Sequence, residues 1–68
     1  MLTLKEFTDV CRAQEQYPTL RVGQSMMVVL SKVSPYLYDE MVATPLDPFY
    51  DDDKVDNFLA WLDGKVER

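Results

Sequence analysis

Five aspartates, Asp47, Asp51, Asp52, Asp53 and Asp56, fall within ten residues of one another, and carboxylate oxygens at that density are the ligand type that Ca²⁺ and Mg²⁺ take. The spacing does not suit a calcium loop, which needs ligands at alternate positions, a glycine at the sixth and a glutamate at the twelfth. Helix capping accounts for the run better. A general acid and base pair would need a cleft that drives two carboxyl pKa values apart, and adjacent acids at a helix start are normally solvated. Cys11 is the only thiol and the chain has no histidine, so the usual nucleophile–base pairs and zinc sites are missing, and no glycine-rich phosphate loop stands in for them. The expectation is therefore a protein that is not an enzyme, with no catalytic, cofactor-binding or metal-binding residue. Cys11 itself reads as a buried, inert thiol on an apolar helix face.

The groups left to do something are those that bind by contact. Phe49 and Tyr50 run into Asp51, Asp52 and Asp53, and Trp61 lies off the apolar stripe of its own segment. Aromatics beside carboxylates have the composition of a protein-binding hot spot, in which rings anchor and charges orient. Met27 and Val28 fall outside the core stripe of theirs, which leaves them exposed or in need of a cover. The partner-binding candidates are thus Met27, Val28, Phe49, Tyr50, Asp51, Asp52, Asp53 and Trp61. The competing reading makes the aromatics a lid over the core and the acids a solvated helix start.

These residues are positioned by segments whose spacing is helical. Thr3 precedes Glu6 by three, with Leu2 and Phe7 flanking them, which combines a capping box with a hydrophobic staple. A first helix over about 4–16 follows, its stripe being Leu4, Phe7, Val10 and Cys11, and it ends before Pro18. Val22, Met26, Val29, Leu30 and Val33 share a face, which predicts a helix over about 23–33. The apolar run 26–30 also permits a buried strand. Ser34-Pro35 opens a short helix to about 42. Pro45 and Pro48 make 44–50 irregular. Val55, Phe58, Leu59, Leu62 and Val66 form a last stripe on a helix over about 54–63, with Asp52 or Asp53 as its cap and Gly64 as a left-handed terminator. The fold class is all-α, a compact bundle of three main helices and one short one in a single helical domain over 1–68.

Composition bounds what such a bundle does. The chain has 68 residues, 47% of them apolar and 28% charged, which is globular rather than disordered usage. Residues 1–33 carry Lys5, Arg12, Arg21 and Lys32 against Glu6, Asp9 and Glu15. Residues 34–68 carry nine acids against Lys54, Lys65 and Arg68, so the net charge of -5 sits in the second half. Direct nucleic-acid binding needs the opposite sign. No apolar run approaches the roughly 20 residues of a membrane span, and the first residues do not read as a secretory signal. A soluble protein of the cytoplasm is expected, and an acidic face of this kind steers basic partners onto it.

The pattern Arg21-x-Gly23-Gln24, Leu30-x-x-Val33-x-Pro35, Thr44-Pro45-Leu46-Asp47-Pro48-Phe49-Tyr50 and Phe58-Leu59-x-Trp61-Leu62 resembles a family of small uncharacterised proteins encoded by bacteriophages and prophages. The resemblance covers about residues 3–62 and brings no assigned activity. It implies the cytoplasm of a bacterial host as the setting and, by analogy with small acidic phage proteins, a host or phage protein as the partner. The leading expectation is a protein-binding module with an apolar patch bordered by carboxylates, docking on such a protein or self-associating. A nucleic-acid mimic occupying the basic groove of a DNA-binding protein, and a structural or assembly component of the virion, are the alternatives.

Overall fold

A computed structural model describes residues 1–67; Arg68, counted above among the basic residues, lies outside them. Among the described residues five α-helices follow one another: α1 (Leu4–Cys11), α2 (Ala13–Gln16), α3 (Val22–Val33), α4 (Pro35–Val42) and α5 (Val55–Asp63), with a 3₁₀ turn, Asp52–Lys54, leading into α5. Residues 26–30 are helical, and no strand occurs among the described residues. The all-α reading holds. The Cα radius of gyration is 10.6 Å, against about 11 Å expected for a close-packed chain of this length.

The start of α1 is built as its sequence implies. Thr3 Oγ1 accepts the Glu6 N–H at 3.1 Å and Glu6 Oε1 accepts the Thr3 N–H at 2.9 Å, which satisfies two of the donors a helix start leaves free. The expected single helix over 4–16 is interrupted at Arg12, whose φ of -100° and ψ of 17° leave the helical range. The Glu15 N–H then donates to the Arg12 carbonyl at 3.0 Å, a tighter three-residue closure. The Arg12 guanidinium holds both Glu15 oxygens across the same turn.

The inward face of this first segment also differs from the expected stripe. Val10 and Ala13 are fully buried and Phe7 and Tyr17 pack on the core, whereas Leu4 is 64% exposed and Cys11 is exposed. At 100° per residue the true face centres on Val10, about 70° round from the centre of the Leu4, Phe7, Val10, Cys11 set. Ala13 and Tyr17 carried that signal.

Helix α3 is the hub, packing against α1, α2, α4 and the 3₁₀ turn. It buries Gly23, Ser25, Met26, Met27, Val29 and Leu30, an arc of about 200° on a helical wheel. That is wider than the usual one-sided stripe, because neighbours cover α3 from more than one direction. Its successor α4 begins at Pro35 with the Ser34 side chain accepting the Leu37 N–H, as the Ser-Pro pair implies.

The buried residues of all five helices form one cluster. Leu2, Val10, Met27, Leu30, Met41, Phe58 and Leu62 are at its centre. Its last wall is made by the chain ends. The Leu2 N–H donates to the Lys65 carbonyl at 3.0 Å, and the Glu67 N–H donates to the Leu2 carbonyl at 2.7 Å, an isolated parallel bridge between Leu2 and Val66. Gly64 makes the bend that allows it without entering the left-handed region: its φ is -65° and ψ -16°. The expected left-handed terminator is replaced by tight turns in which the Lys65 and Val66 N–H groups bond the Leu62 and Asp63 carbonyls.

Candidate functional site

The irregular segment between α4 and α5 carries Tyr50 beside three exposed aspartates, and local hydrogen bonds shape it. Thr44 Oγ1 donates to the Met41 carbonyl at 2.9 Å and accepts the Leu46 N–H at 3.2 Å. Asp47 Oδ1 accepts the Phe49 N–H at 2.9 Å, an aspartate turn of the kind that substitutes for a backbone turn. Pro48 is fully buried. Its carbonyl accepts the Asp51 N–H at 3.2 Å.

Asp51, rather than Asp52 or Asp53, caps the helical run into α5, its Oδ1 accepting the Asp53 N–H at 2.9 Å. The reason is the 3₁₀ turn, which starts the helical run earlier than the apolar stripe indicates. Asp52 is drawn elsewhere. Its Oδ1 accepts the N–H of Gly23 at 3.0 Å, and so caps the first turn of α3 from 29 residues away. The N-cap residue of that helix, Arg21, makes no side-chain cap; its guanidinium Nη2 instead donates to the Phe49 carbonyl at 2.9 Å. The loop lies so close to α3 that a Cβ at Gly23 would sit 2.1 Å from the Pro48 carbonyl oxygen. Only glycine fits there.

Between these two ties stands Tyr50, which is 82% exposed. Its ring meets Phe49 edge-on at a centroid distance of 4.8 Å and an interplanar angle of 70°, the favoured geometry for an aromatic pair. Phe49 itself is half-buried and packs on the core. Asp51, Asp52 and Asp53 are all exposed. Phe49, Tyr50, Asp51, Asp52 and Asp53 are thus brought together in one loop, two of the carboxylates being occupied by backbone N–H groups.

The remaining candidates stand apart from it. Met27 is fully buried, and its place in a partner surface is withdrawn: the neighbours of α3 close over the position that a one-sided stripe leaves open. Val28 is half-buried on the same helix. Trp61 is half-buried on α5 and packs on the core, with Lys65 Nζ 5.0 Å from its ring centroid. That ammonium also reaches Glu40 Oε1 at 3.3 Å, joining the turn after α5 to α4. The exposed large apolar groups that the sequence reasoning missed are Met1, Leu4, Tyr36 and Val42. Leu4 was assigned to the core because its stripe was centred on the wrong residue; for Tyr36 and Val42 no signal in the pattern separated exposure from burial.

Cys11 is exposed rather than buried. Partial desolvation pushes its thiol pKa up, and the Asp63 carboxylate adds to the effect. It is electrostatically quiet for a reason other than the one expected, since a reactive cysteine needs the opposite shift. The Arg12 guanidinium holds the Glu15 carboxyl below its usual range, at a site exposed to water. Among the described residues there is no cavity and no group of three or more His, Cys, Asp or Glu side chains placed to hold a metal ion. No helix is long and apolar enough to cross a membrane. No family model matches the chain, and no curated protein or solved structure matches it either, so the reading of the loop rests on its own residues.

Proposed function

We propose that the chain is a small acidic, non-enzymatic module that docks on a basic surface of another protein through Tyr50 and the carboxylates beside it. The observation that carries this reading is the 82% exposure of Tyr50 in a loop whose backbone is fastened on both sides of it. A ring held out in this way contributes contact area without first being ordered, and ordering is a main cost of association. Asp51 and Asp53 follow it and Asp56 lies in the first turn of α5; all three are exposed, and together they supply the field that orients a basic partner. On the resemblance to phage-encoded proteins, the partner proposed is a host or phage protein in the bacterial cytoplasm.

The patch differs from the one expected at the outset. Met27, Val28 and Trp61 drop out of it, and Phe49, packed on the core, meets the Tyr50 ring edge-on. The test is capture from a bacterial lysate by the wild-type protein, by Tyr50→Ala and by the double variant Asp53→Asn/Asp56→Asn, at about 0.05 M and 0.3 M salt, which bracket the range where exposed charges become screened. The expected result is a protein that is retained by the wild type at low salt, released at high salt, and lost by both variants. Retention of the same proteins by Tyr50→Ala at wild-type levels would overturn the proposal.

A further inference from the structure

Pro48 to Asp52, the loop and the first residue of the 3₁₀ turn, meet the N-cap and first turn of α3 at three points. Arg21 Nη2 donates to the Phe49 carbonyl at 2.9 Å, Asp52 Oδ1 accepts the Gly23 N–H at 3.0 Å, and between them the Pro48 carbonyl rests against the bare Cα of Gly23. We propose that this arrangement is a latch: the first turn of α3 and the loop carrying Tyr50 open and close as one unit, without unfolding of the bundle.

The coupling follows from geometry. Each tie is a single charge-assisted hydrogen bond at an exposed or part-buried position, worth roughly a factor of ten in an equilibrium. Either tie alone is weak. With one made, the other donor and acceptor are held a few residues away at high effective concentration, so the second closes readily. Losing one tie removes that advantage from the other. The closed form dominates because Pro48 is fully buried and Phe49 packs on the core, and opening would return apolar surface to water. Stability at the two sites is then local and shared, as in a cooperative unit that opens below the global unfolding limit. Tyr50 lies between the ties, so the latch sets how its ring is presented, and anything that grips Tyr50 only in the closed form shifts the equilibrium toward closure. The latch stands independently of the docking proposal, because its test requires no partner.

That test is native-state hydrogen exchange followed by NMR, corrected for intrinsic rates, with each variant read at the end its side chain does not touch. Arg21→Ala removes the tie at Phe49 and is read at the Gly23 amide, which Asp52 holds. Asp52→Ala removes the tie at Gly23 and is read at the Phe49 amide, held by Asp47. A latch gives exchange about ten-fold faster at the distant end in both variants, with Leu30 and Leu62 unchanged, and Arg21→Lys restores most of the protection at Gly23. Unchanged exchange at the distant end in either variant would show two independent contacts. Acceleration of Leu30 and Leu62 by the same factor would show global opening. Either result overturns the proposal.

Discussion

Replacing Gly23 by alanine separates two physical effects of opposite sign. Considered as a helix residue alone, alanine gains up to about 1 kcal/mol over glycine. The added Cβ would, however, stand 2.1 Å from the Pro48 carbonyl oxygen, 2.9 Å from its carbon and 3.1 Å from Asp52 Oδ1, whereas ordinary contact begins near 3.4 Å. Two of these atoms are backbone, so the loop has to retreat by roughly 1 Å or more, a strain of the overpacking kind that costs about 1–3 kcal/mol. Retreat also stretches the Asp52 bond to the Gly23 N–H, and a hydrogen bond to a charged group contributes about 1.5–3 kcal/mol. The net expectation is a loss of about 2–4 kcal/mol. For a domain of this size that lowers the melting temperature by roughly 10–25 °C. Trp61 is the only tryptophan and half-buried, so its emission reports the transition in thermal and urea melts, with far-ultraviolet dichroism as the second probe. Gly64→Ala is the control: its Cβ would meet nothing nearer than the Trp61 carbonyl at 3.3 Å, and the backbone there is right-handed, so its stability stays within about 1 kcal/mol of the wild type. If Gly23→Ala melts at or above the wild-type temperature, the loop does not sit against α3 as described and the reasoning fails.

Met27→Ala should cost about 2–5 kcal/mol in urea unfolding, as for other fully buried large side chains, while Tyr50→Ala stays within about 0.5 kcal/mol; equal effects would contradict the assignment of one to the core and the other to the surface. For Cys11, a raised pKa means a smaller thiolate fraction at a given pH, so Asp63→Asn lowers that pKa and should speed iodoacetamide alkylation at about pH 8. A slower or unchanged rate would remove Asp63 as a cause. Lys65→Ala takes away both the ammonium over Trp61 and the ion pair with Glu40, yet at this exposure the loss should remain below about 1 kcal/mol. A loss above about 2 kcal/mol in the same melts would show that this link between α4 and α5 is far less screened than its exposure implies.

Most of the fold is legible because its signals are local. Thr3 with Glu6 marks one helix start and Ser34 with Pro35 another, and both cap through the atoms their residue types provide. What failed depended on neighbours. A stripe assumes one buried side, and α3 has more than one, so Met27 was placed outside when it is inside. Leu4 and Cys11 fall on the stripe that four apolar residues at helical spacing define, but Ala13 and Tyr17, outside that set, mark the true face. The sequence offers Asp52 or Asp53 as the cap of the last helix. In the structure Asp51 caps its own turn and Asp52 caps a helix 29 residues earlier, a pairing no local pattern encodes. Of the candidate site, Phe49, Tyr50 and the three aspartates are consecutive and so legible together, but the role of Gly23 as the seat against which the loop rests emerges only when the loop is in place.

The pairing of Leu2 with Val66 turns the domain into something close to a ring. Residues 2 and 66 lie side by side, so a circular permutant that links their neighbourhoods by a short glycine-rich bridge and is reopened elsewhere on the surface should still fold. A long rigid spacer fused between the two would instead prise them apart and strip the outer wall from the core.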